Sequence, residues 1–183
     1  LDMKTKVVEL LVSLKEISEV GSVKPSRRHH YVTHLSLSPS GLRLAFLHRY
    51  RLDDGGEMTR LMTIGIDGGD LRCLAYGYLS HFDWKESDSI LIWGRSNQAV
   101  ANLREKAFLK YFLSSKLMKA VKPVVRILLK QTAAMDMSFN LVKDSNDFSM
   151  VKIAENVITS DGHPMVNPLD PDIMICDTYP NSE

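Results

Sequence analysis

Cysteine, long apolar runs and an excess of either charge are scarce or missing in this sequence. Cys73 and Cys176 are the only two cysteines. They are too few for a disulfide framework and lack metal-spaced neighbours, so both are expected to be buried, reduced thiols. No apolar run reaches the roughly 18–20 residues of a membrane-spanning helix, which predicts no transmembrane segment. The net charge is +1, and no recognition motif accompanies the basic residues, so nucleic acid is not an expected partner.

What is present is the composition of an ordinary soluble globular chain, with 44% apolar and 25% charged residues. A short pattern then occurs three times, beginning at His34, His81 and His163. In each copy the histidine opens a strand, an apolar residue follows three positions later, and a polar turn leads to a second apolar strand. The turns are residues 38–41, 85–88 and 167–172.

The spacing of these copies predicts an all-β fold, a β-propeller of four-stranded blades. A period of about 40–50 residues with several short strands per repeat is typical of propellers. Residues 1–183 would hold about three blades, the outer two incomplete. Because at least about four blades are needed to close a propeller, the chain is expected to be a fragment of a longer protein. Equivalent residues of successive blades would converge on the central channel.

Residues 99–132 interrupt the second copy, which begins at His81, and predict a helical insertion within one blade. This stretch lacks glycine, spaces its apolar residues helically, and has Pro123 as a break or kink. It carries eight basic residues against a single acidic one, Glu105. Two interpretations follow: a surface that attracts an acidic glycan or an anionic membrane, or an amphipathic helical pair with a solvated basic face. The abundance of apolar residues favours the second.

The first copy resembles the repeat of TolB-type propellers. Residues 33–46 read THLSLSPSGLRLAF, similar to that family's Ser-Pro-Asp-Gly turn before an apolar strand. Residues 80–84, SHFDW, resemble a strand start of the oligogalacturonate lyase branch. This resemblance implies a manganese or other divalent metal site in the channel, with His34, His81 and His163 as ligands. It further implies a lyase that cleaves oligogalacturonate-like acidic sugars by β-elimination.

Such an elimination removes the proton next to a carboxylate, and a metal ion on that carboxylate stabilises the developing charge. Three imidazoles leave coordination positions open for substrate. His48, Arg49 and Arg95 are the candidate catalytic or substrate-binding groups, and the two arginines occupy the same place in their repeats. The alternative is a non-catalytic TolB-like propeller that binds a protein or glycan, its histidines only joining strands by hydrogen bonds. Acidic oligosaccharide and protein are therefore the two partners considered.

Overall fold

A computed structural model describes residues 2–21, 29–51, 56–96, 137–147 and 149–179. These residues are mostly strand, and the helix among them, α1 (Leu14–Glu19), has six residues. A capping box begins this helix: the Ser13 hydroxyl accepts from the Glu16 amide at 3.2 Å, and the Glu16 carboxylate accepts from the Ser13 amide at 2.8 Å. These bonds satisfy amides that a helix N-terminus leaves without intrahelical partners.

Seven strands form one antiparallel sheet in sequence order, and two more form a separate hairpin. The hairpin contacts the large sheet. The large sheet consists of β1 (His30–Leu37), β2 (Arg43–Arg51), β3 (Glu57–Gly65), β4 (Arg72–Glu86), β5 (Ser89–Ser96), β6 (Ser138–Lys143) and β7 (Met150–Ile153), and the hairpin of β8 (Pro164–Asn167) and β9 (Asp170–Cys176).

The turns between strands follow from local sequence. Gly41 adopts a φ of 71° and donates its amide to the Ser38 carbonyl at 2.8 Å, closing the predicted Ser-Pro-Ser-Gly turn. Gly68 adopts a φ of 83° in the turn after β3. The Asp67 carboxylate there accepts from the Gly69 amide at 2.9 Å. Positive φ values are readily adopted by glycine, so both turns are specified by their glycines.

The prediction of propeller blades is wrong. Separate blades require the backbone hydrogen bonding to stop between one blade and the next, after about residue 75. Instead β4 runs unbroken for 15 residues. Gly77, within it, faces Thr59 of β3 on one side and Ser96 of β5 on the other. The ladder therefore continues from β1 to β7 as a single open sheet.

The predicted helical insertion, residues 99–132, lies outside the described residues. On either side of it, β5 and β6 pair directly from Ser89 with Lys143 to Gly94 with Ser138. None of the helices that the structure describes has the length and apolar character to cross a membrane.

The core lies along β2 to β6. Leu47, Leu61, Leu74, Ile90 and Ile92 are fully buried in one cluster there. Burial of each such side chain contributes about 1.5–3 kcal/mol to folding. The strands whose residues line this cluster are central ones, and β1 and β7 form the sheet edges.

Polar contacts attach the β8–β9 hairpin to β4. The Val166 amide donates to the Asp83 carboxylate at 2.8 Å, and Lys85 pairs with Asp172 at 2.8 Å. These two contacts join the hairpin to the second half of β4. This half of β4 also contacts β1, because the Trp84 indole donates to the Ser36 carbonyl at 3.1 Å.

Candidate functional site: a histidine cluster

Two of the three repeated histidines lie in β-bulges, His34 at the first and His81 at the second of the two positions within the register shift. The pairing of β1 with β2 shifts register between Thr33 and Ser36, which places His34 in the shift. The pairing of β4 with β5 shifts between Leu79 and Phe82, which places His81 in the shift. Each shift adds one residue to the bulged strand. Two copies of the sequence repeat therefore contain a bulge. Bulges change the direction of a side chain and are frequent beside active sites.

The arginines predicted to be equivalent are confirmed as such. Arg49 is the cross-strand partner of Tyr31, and Arg95 is the partner of Tyr78. Each tyrosine comes three residues before its bulged histidine. Arg49 forms an ion pair with Glu57 at 3.3 Å. The Arg95 guanidinium lies over the Tyr78 ring, 5.1 Å from its centroid.

His34 has an unusual backbone conformation. Its φ is 54°, which few residues other than glycine adopt. Its Nδ1 lies 2.9 Å from the Thr33 hydroxyl. Residues held in sparsely populated backbone regions cluster at functional sites, where the surrounding structure maintains them. The bulge and this φ together present an exposed His34 ring next to His81.

The third histidine comes from the hairpin. His163 precedes β8, and the pairing of Pro164 with Cys176 brings it beside Asp177. A Cβ at Gly162 would overlap the Asp177 carbonyl, so this close approach requires glycine. The His163 amide donates to the Asp177 carboxylate at 2.5 Å, and this hydrogen bond is the main reason that the pKa of Asp177 is lowered.

The three rings meet at the junction of hairpin and sheet. The His34 and His81 ring centroids are 5.2 Å apart with the rings edge to face, and those of His81 and His163 are 4.2 Å apart. The hydroxyl of Tyr179 lies 3.4 Å from Nε2 of His81 and 3.2 Å from Nε2 of His163. The structure therefore brings together all three histidines that the sequence singled out, and adds a tyrosine.

An aspartate orients each of the two inner rings. Nδ1 of His81 lies 3.1 Å from the Asp161 carboxylate, and Nδ1 of His163 lies 2.9 Å from Asp177. The Ser80 hydroxyl donates to the other oxygen of Asp161 at 2.7 Å. A carboxylate accepts hydrogen bonds, so each Nδ1 carries a hydrogen, an assignment made from the partners.

Sequence reasoning did not identify Asp161, Asp177 and Tyr179. The signal was present: Asp161 and Asp177 come at the two ends of the hairpin, and Tyr179 two residues after Asp177. Their role depends on the β8–β9 register, which brings those ends together.

The hydrogen atoms of the cluster can be counted. With both Nδ1 atoms protonated, neutral rings would present two Nε2 lone pairs to the Tyr179 hydroxyl, which has one hydrogen to donate. The hydroxyl therefore donates to one of the two Nε2 atoms, and the other Nε2 lies within contact distance of its oxygen.

The outer histidine, His34, favours its neutral form. Partial burial lowers the pKa of His34, and the positive charges of His81 and Arg49 lower it further. Below its ordinary pKa, near 6.5, a histidine is mostly protonated. A lowered pKa therefore leaves the His34 imidazole uncharged at neutral pH, with a nitrogen that can accept a proton.

His48, predicted as a catalytic candidate, lies elsewhere and is fully buried. Its Nδ1 accepts from the Arg60 guanidinium at 3.1 Å, and its Nε2 lies 3.0 Å from Nδ1 of His30. Burial, followed by the charge of Arg60, lowers the pKa of His48 to about 3. Both ring nitrogens are occupied inside the protein, so this position does not present His48 to a substrate.

The cluster contains the three histidines that were predicted to be metal ligands, His34, His81 and His163. Nε2 atoms with a carboxylate on Nδ1 are typical of metal-binding histidines. Here, however, the Tyr179 hydroxyl lies between two of them. Within the described ranges, no three or more histidine, cysteine, aspartate or glutamate side chains are placed to hold a metal ion. The described residues therefore show no three-histidine metal site in this arrangement, and the manganese site stays a prediction.

Comparison with known proteins gave no match: no family model, no curated protein and no solved structure is significantly similar to the chain. The likeness to TolB-type propellers and oligogalacturonate lyases therefore rests on the short motifs alone.

Proposed function

We propose that this chain is a lyase that cleaves oligogalacturonate-like acidic sugars by β-elimination at the histidine cluster. One observation carries the proposal: His34, on a bulge, lies edge to face with the aspartate-oriented ring of His81, and its pKa is lowered by burial and by the positive charges of His81 and Arg49. A neutral, exposed imidazole next to positive charge is what proton removal beside a carboxylate requires.

His34 is the base in this proposal. The proton on the carbon next to a uronate carboxylate is weakly acidic, and the base must be unprotonated to remove it. The lowered pKa of His34 keeps it in that form. The Thr33 hydroxyl lies 2.9 Å from Nδ1, and Nε2 is the accepting atom in the tautomer in which Nδ1 donates to that hydroxyl.

Arg49 is the proposed carboxylate-binding residue. A guanidinium offers paired donors that match a carboxylate. Its ion pair with Glu57 is partly exposed, with 22% of the Arg49 and 37% of the Glu57 side chain accessible. Exposed ion pairs contribute little free energy, so a substrate carboxylate can compete for this arginine. Positive charge near the substrate also stabilises the negative charge that develops as the proton leaves.

A second candidate is a module that binds a protein or glycan without chemistry. Its support is that both ring nitrogens of His81 and His163 have partners within the protein. Under this alternative the histidines only attach the hairpin to the sheet. Both candidates use the same surface, and they differ in whether a bond of the sugar is broken.

The test incubates the full chain with galacturonate oligomers and follows the ultraviolet absorbance of the unsaturated uronate product. We expect product from the unmodified chain and a loss of about 100-fold or more in His34→Ala, the scale of general base catalysis. His29→Ala, a change at an exposed histidine outside the cluster, is the matched control and should retain activity. Product formation that is equal in His34→Ala and His29→Ala would overturn the role of His34.

Calorimetry separates the remaining outcomes. Oligosaccharide binding without product would overturn the lyase and support the binding module, and neither binding nor product would overturn both. Manganese titration into the unmodified chain and into His81→Ala tests the metal prediction. Manganese uptake that His81→Ala abolishes would support it, whereas equal heats in the two proteins would contradict it.

A further inference from the structure

We propose that Arg49 and Tyr31 form the subsite for the substrate carboxylate, and that the Glu57 carboxylate occupies this subsite as an internal competitor. The inference rests on the proposed role of Arg49 as a carboxylate-binding residue. It adds Tyr31 as a specificity-determining residue, and it assigns to Glu57 a restraint on substrate affinity that the sequence motifs do not indicate.

The three side chains lie on one face of the sheet. Tyr31 of β1 is the cross-strand partner of Arg49 of β2, and Arg49 in turn pairs with Thr59 of β3. Glu57 comes two residues before Thr59 on the same strand. Residues two apart on a strand share a face, and diagonal cross-strand neighbours are within reach of long side chains. The register therefore places the Glu57 carboxylate against both the arginine and the tyrosine.

The contacts of Glu57 are those that a bound carboxylate would make. The Tyr31 hydroxyl donates to Oε2 of Glu57 at 2.7 Å, and the Arg49 guanidinium donates to Oε1 at 3.3 Å. Desolvation, followed by the hydrogen bond and the charge of Glu57, raises the pKa of Tyr31, so its hydroxyl is a donor at neutral pH. A substrate carboxylate has the same two oxygens and the same charge, so it fits the same two donors.

The Glu57 carboxylate is held loosely enough to be displaced. Arg49 reaches it through one terminal nitrogen, at a distance beyond the usual range of about 2.7–3.2 Å for such bonds. Nε of Arg49 is buried and, among the residues that the structure describes, has no hydrogen-bond partner. The pair therefore lacks the two parallel bonds of a fork-shaped arginine–carboxylate contact. Tyr31 is 38% exposed, so a ligand can reach its hydroxyl.

The subsite lies beside the proposed base. The charge of Arg49 contributes to the lowered pKa of His34, so the guanidinium is near that ring, and Tyr31 precedes His34 by three residues on β1. In a uronate the proton to be removed is on the carbon that bears the carboxylate. Binding of the carboxylate here would keep that carbon close to His34. A neutral sugar has no carboxylate for the two donors, so the subsite would select acidic sugars.

The test measures the dissociation constants of galacturonate and of galactose, its neutral counterpart, by calorimetry on the full chain. Glu57→Ala should bind galacturonate about three- to tenfold more tightly, because the ligand no longer displaces an ion pair and a hydrogen bond. Its affinity for galactose should change by less than about twofold. Glu155→Ala is the matched control, because Glu155 is an exposed glutamate paired with Lys152 at 3.2 Å, and it should leave both affinities unchanged.

Tyr31→Phe distinguishes an exchange of partners from a structural defect. In the unmodified background it should change the galacturonate dissociation constant by less than about twofold, because the hydroxyl has a carboxylate partner both with and without ligand. In the Glu57→Ala background it should weaken binding by about three- to tenfold, because only the carboxylate of the ligand then uses the hydroxyl. Equal factors in the two backgrounds would overturn the transfer of this hydroxyl from Glu57 to the ligand.

The remaining outcomes separate the subsite from the chemistry. If Glu57→Ala binds galacturonate no more tightly than Glu155→Ala, the competitor role of Glu57 is overturned, even when galacturonate oligomers are converted to product. An equal gain for galactose would also overturn the subsite, because galactose has no carboxylate. Affinities that change as expected without any product from oligomers would support the subsite and overturn the lyase.

Discussion

Histidines occur in two very different settings in this molecule. His48 is fully buried between β1 and β3, with Arg60 on one nitrogen and His30 on the other. His81 and His163 lie where the hairpin meets the sheet, with 14% and 55% of their side chains exposed. Both settings saturate the ring nitrogens with hydrogen bonds, so hydrogen bonding alone does not distinguish a structural histidine from a reactive one.

The difference lies in what surrounds the partners. The buried Arg60 guanidinium donates to His48 and to two backbone carbonyls, Val20 at 2.6 Å and Ile17 at 2.5 Å, at the C-terminal end of α1. Burial keeps His48 neutral by lowering its pKa, and the charge of Arg60 beside it adds to this effect. In the cluster, carboxylates face the rings and water reaches them, so protons can be exchanged. Exposure and the sign of the neighbouring charge decide what the same side chain can do.

The largest effect is expected from removing the buried guanidinium. Arg60→Met should lower the free energy of unfolding by about 3 kcal/mol, because His48 and two helix carbonyls lose their donor in a buried place. Arg49→Met, one strand away and partly exposed, should lower it by less than about 1 kcal/mol. Urea unfolding at neutral pH measures both. Similar values for the two variants would show that the interior network contributes no more than a surface pair.

The next effect is a dependence of stability on pH. His48 has a folded-state pKa of about 3, below its ordinary value near 6.5. As pH falls below 6.5, the unfolded chain binds a proton at His48 that the folded chain does not. Stability is therefore complete above about pH 6.5 and declines towards pH 3, by about 1.4 kcal/mol per unit from this residue.

His48→Gln removes this titrating group, so the free energy of unfolding should fall less steeply as the pH is lowered. The variant should have a lower free energy of unfolding at neutral pH. His34 also has a lowered pKa, so it contributes a loss of the same sign, and His34→Gln measures this contribution separately. Urea midpoints at several pH values between about 6.5 and 4.5 give the slopes. A slope unchanged in His48→Gln would contradict the buried, neutral state of this ring.

The turns between strands could be predicted from the sequence because their determinants are local. Alternating residues, the turn that ends in Gly41 and the turn around Gly68 are each encoded within a few positions. The sequence did not predict how the strands assemble. Whether the chain separates into blades depends on the pairing of Gly77 with strands on both sides. No residue near Gly77 indicates from the sequence that the sheet continues through this point.

The candidate site divides in the same way. The repeat predicted that His34, His81 and His163 lie close together, and their rings do meet. His34 and His81 both lie in bulges. The roles of Asp161 and Tyr179 depend on the hairpin docking against β4, a contact between segments far apart in the chain. The burial of His48 likewise depends on distant neighbours, so strand alternation alone could not separate it from the exposed histidines.

The last comparison concerns two carboxylates, and its smallest expected effect is the stability loss in Asp161→Asn. Asp144 is 2% exposed and pairs with Arg43 and Arg72, whereas Asp161 is 31% exposed beside His81. Asp144→Asn should lower the free energy of unfolding by about 3 kcal/mol, because two guanidinium groups lose a buried anion. Asp161→Asn should lower it by less than about 1 kcal/mol, yet change the His81 ring signals in NMR. If Asp161→Asn were as damaging as Asp144→Asn, the cluster would be part of the folding core, and its carboxylates could not be free to adjust to a substrate.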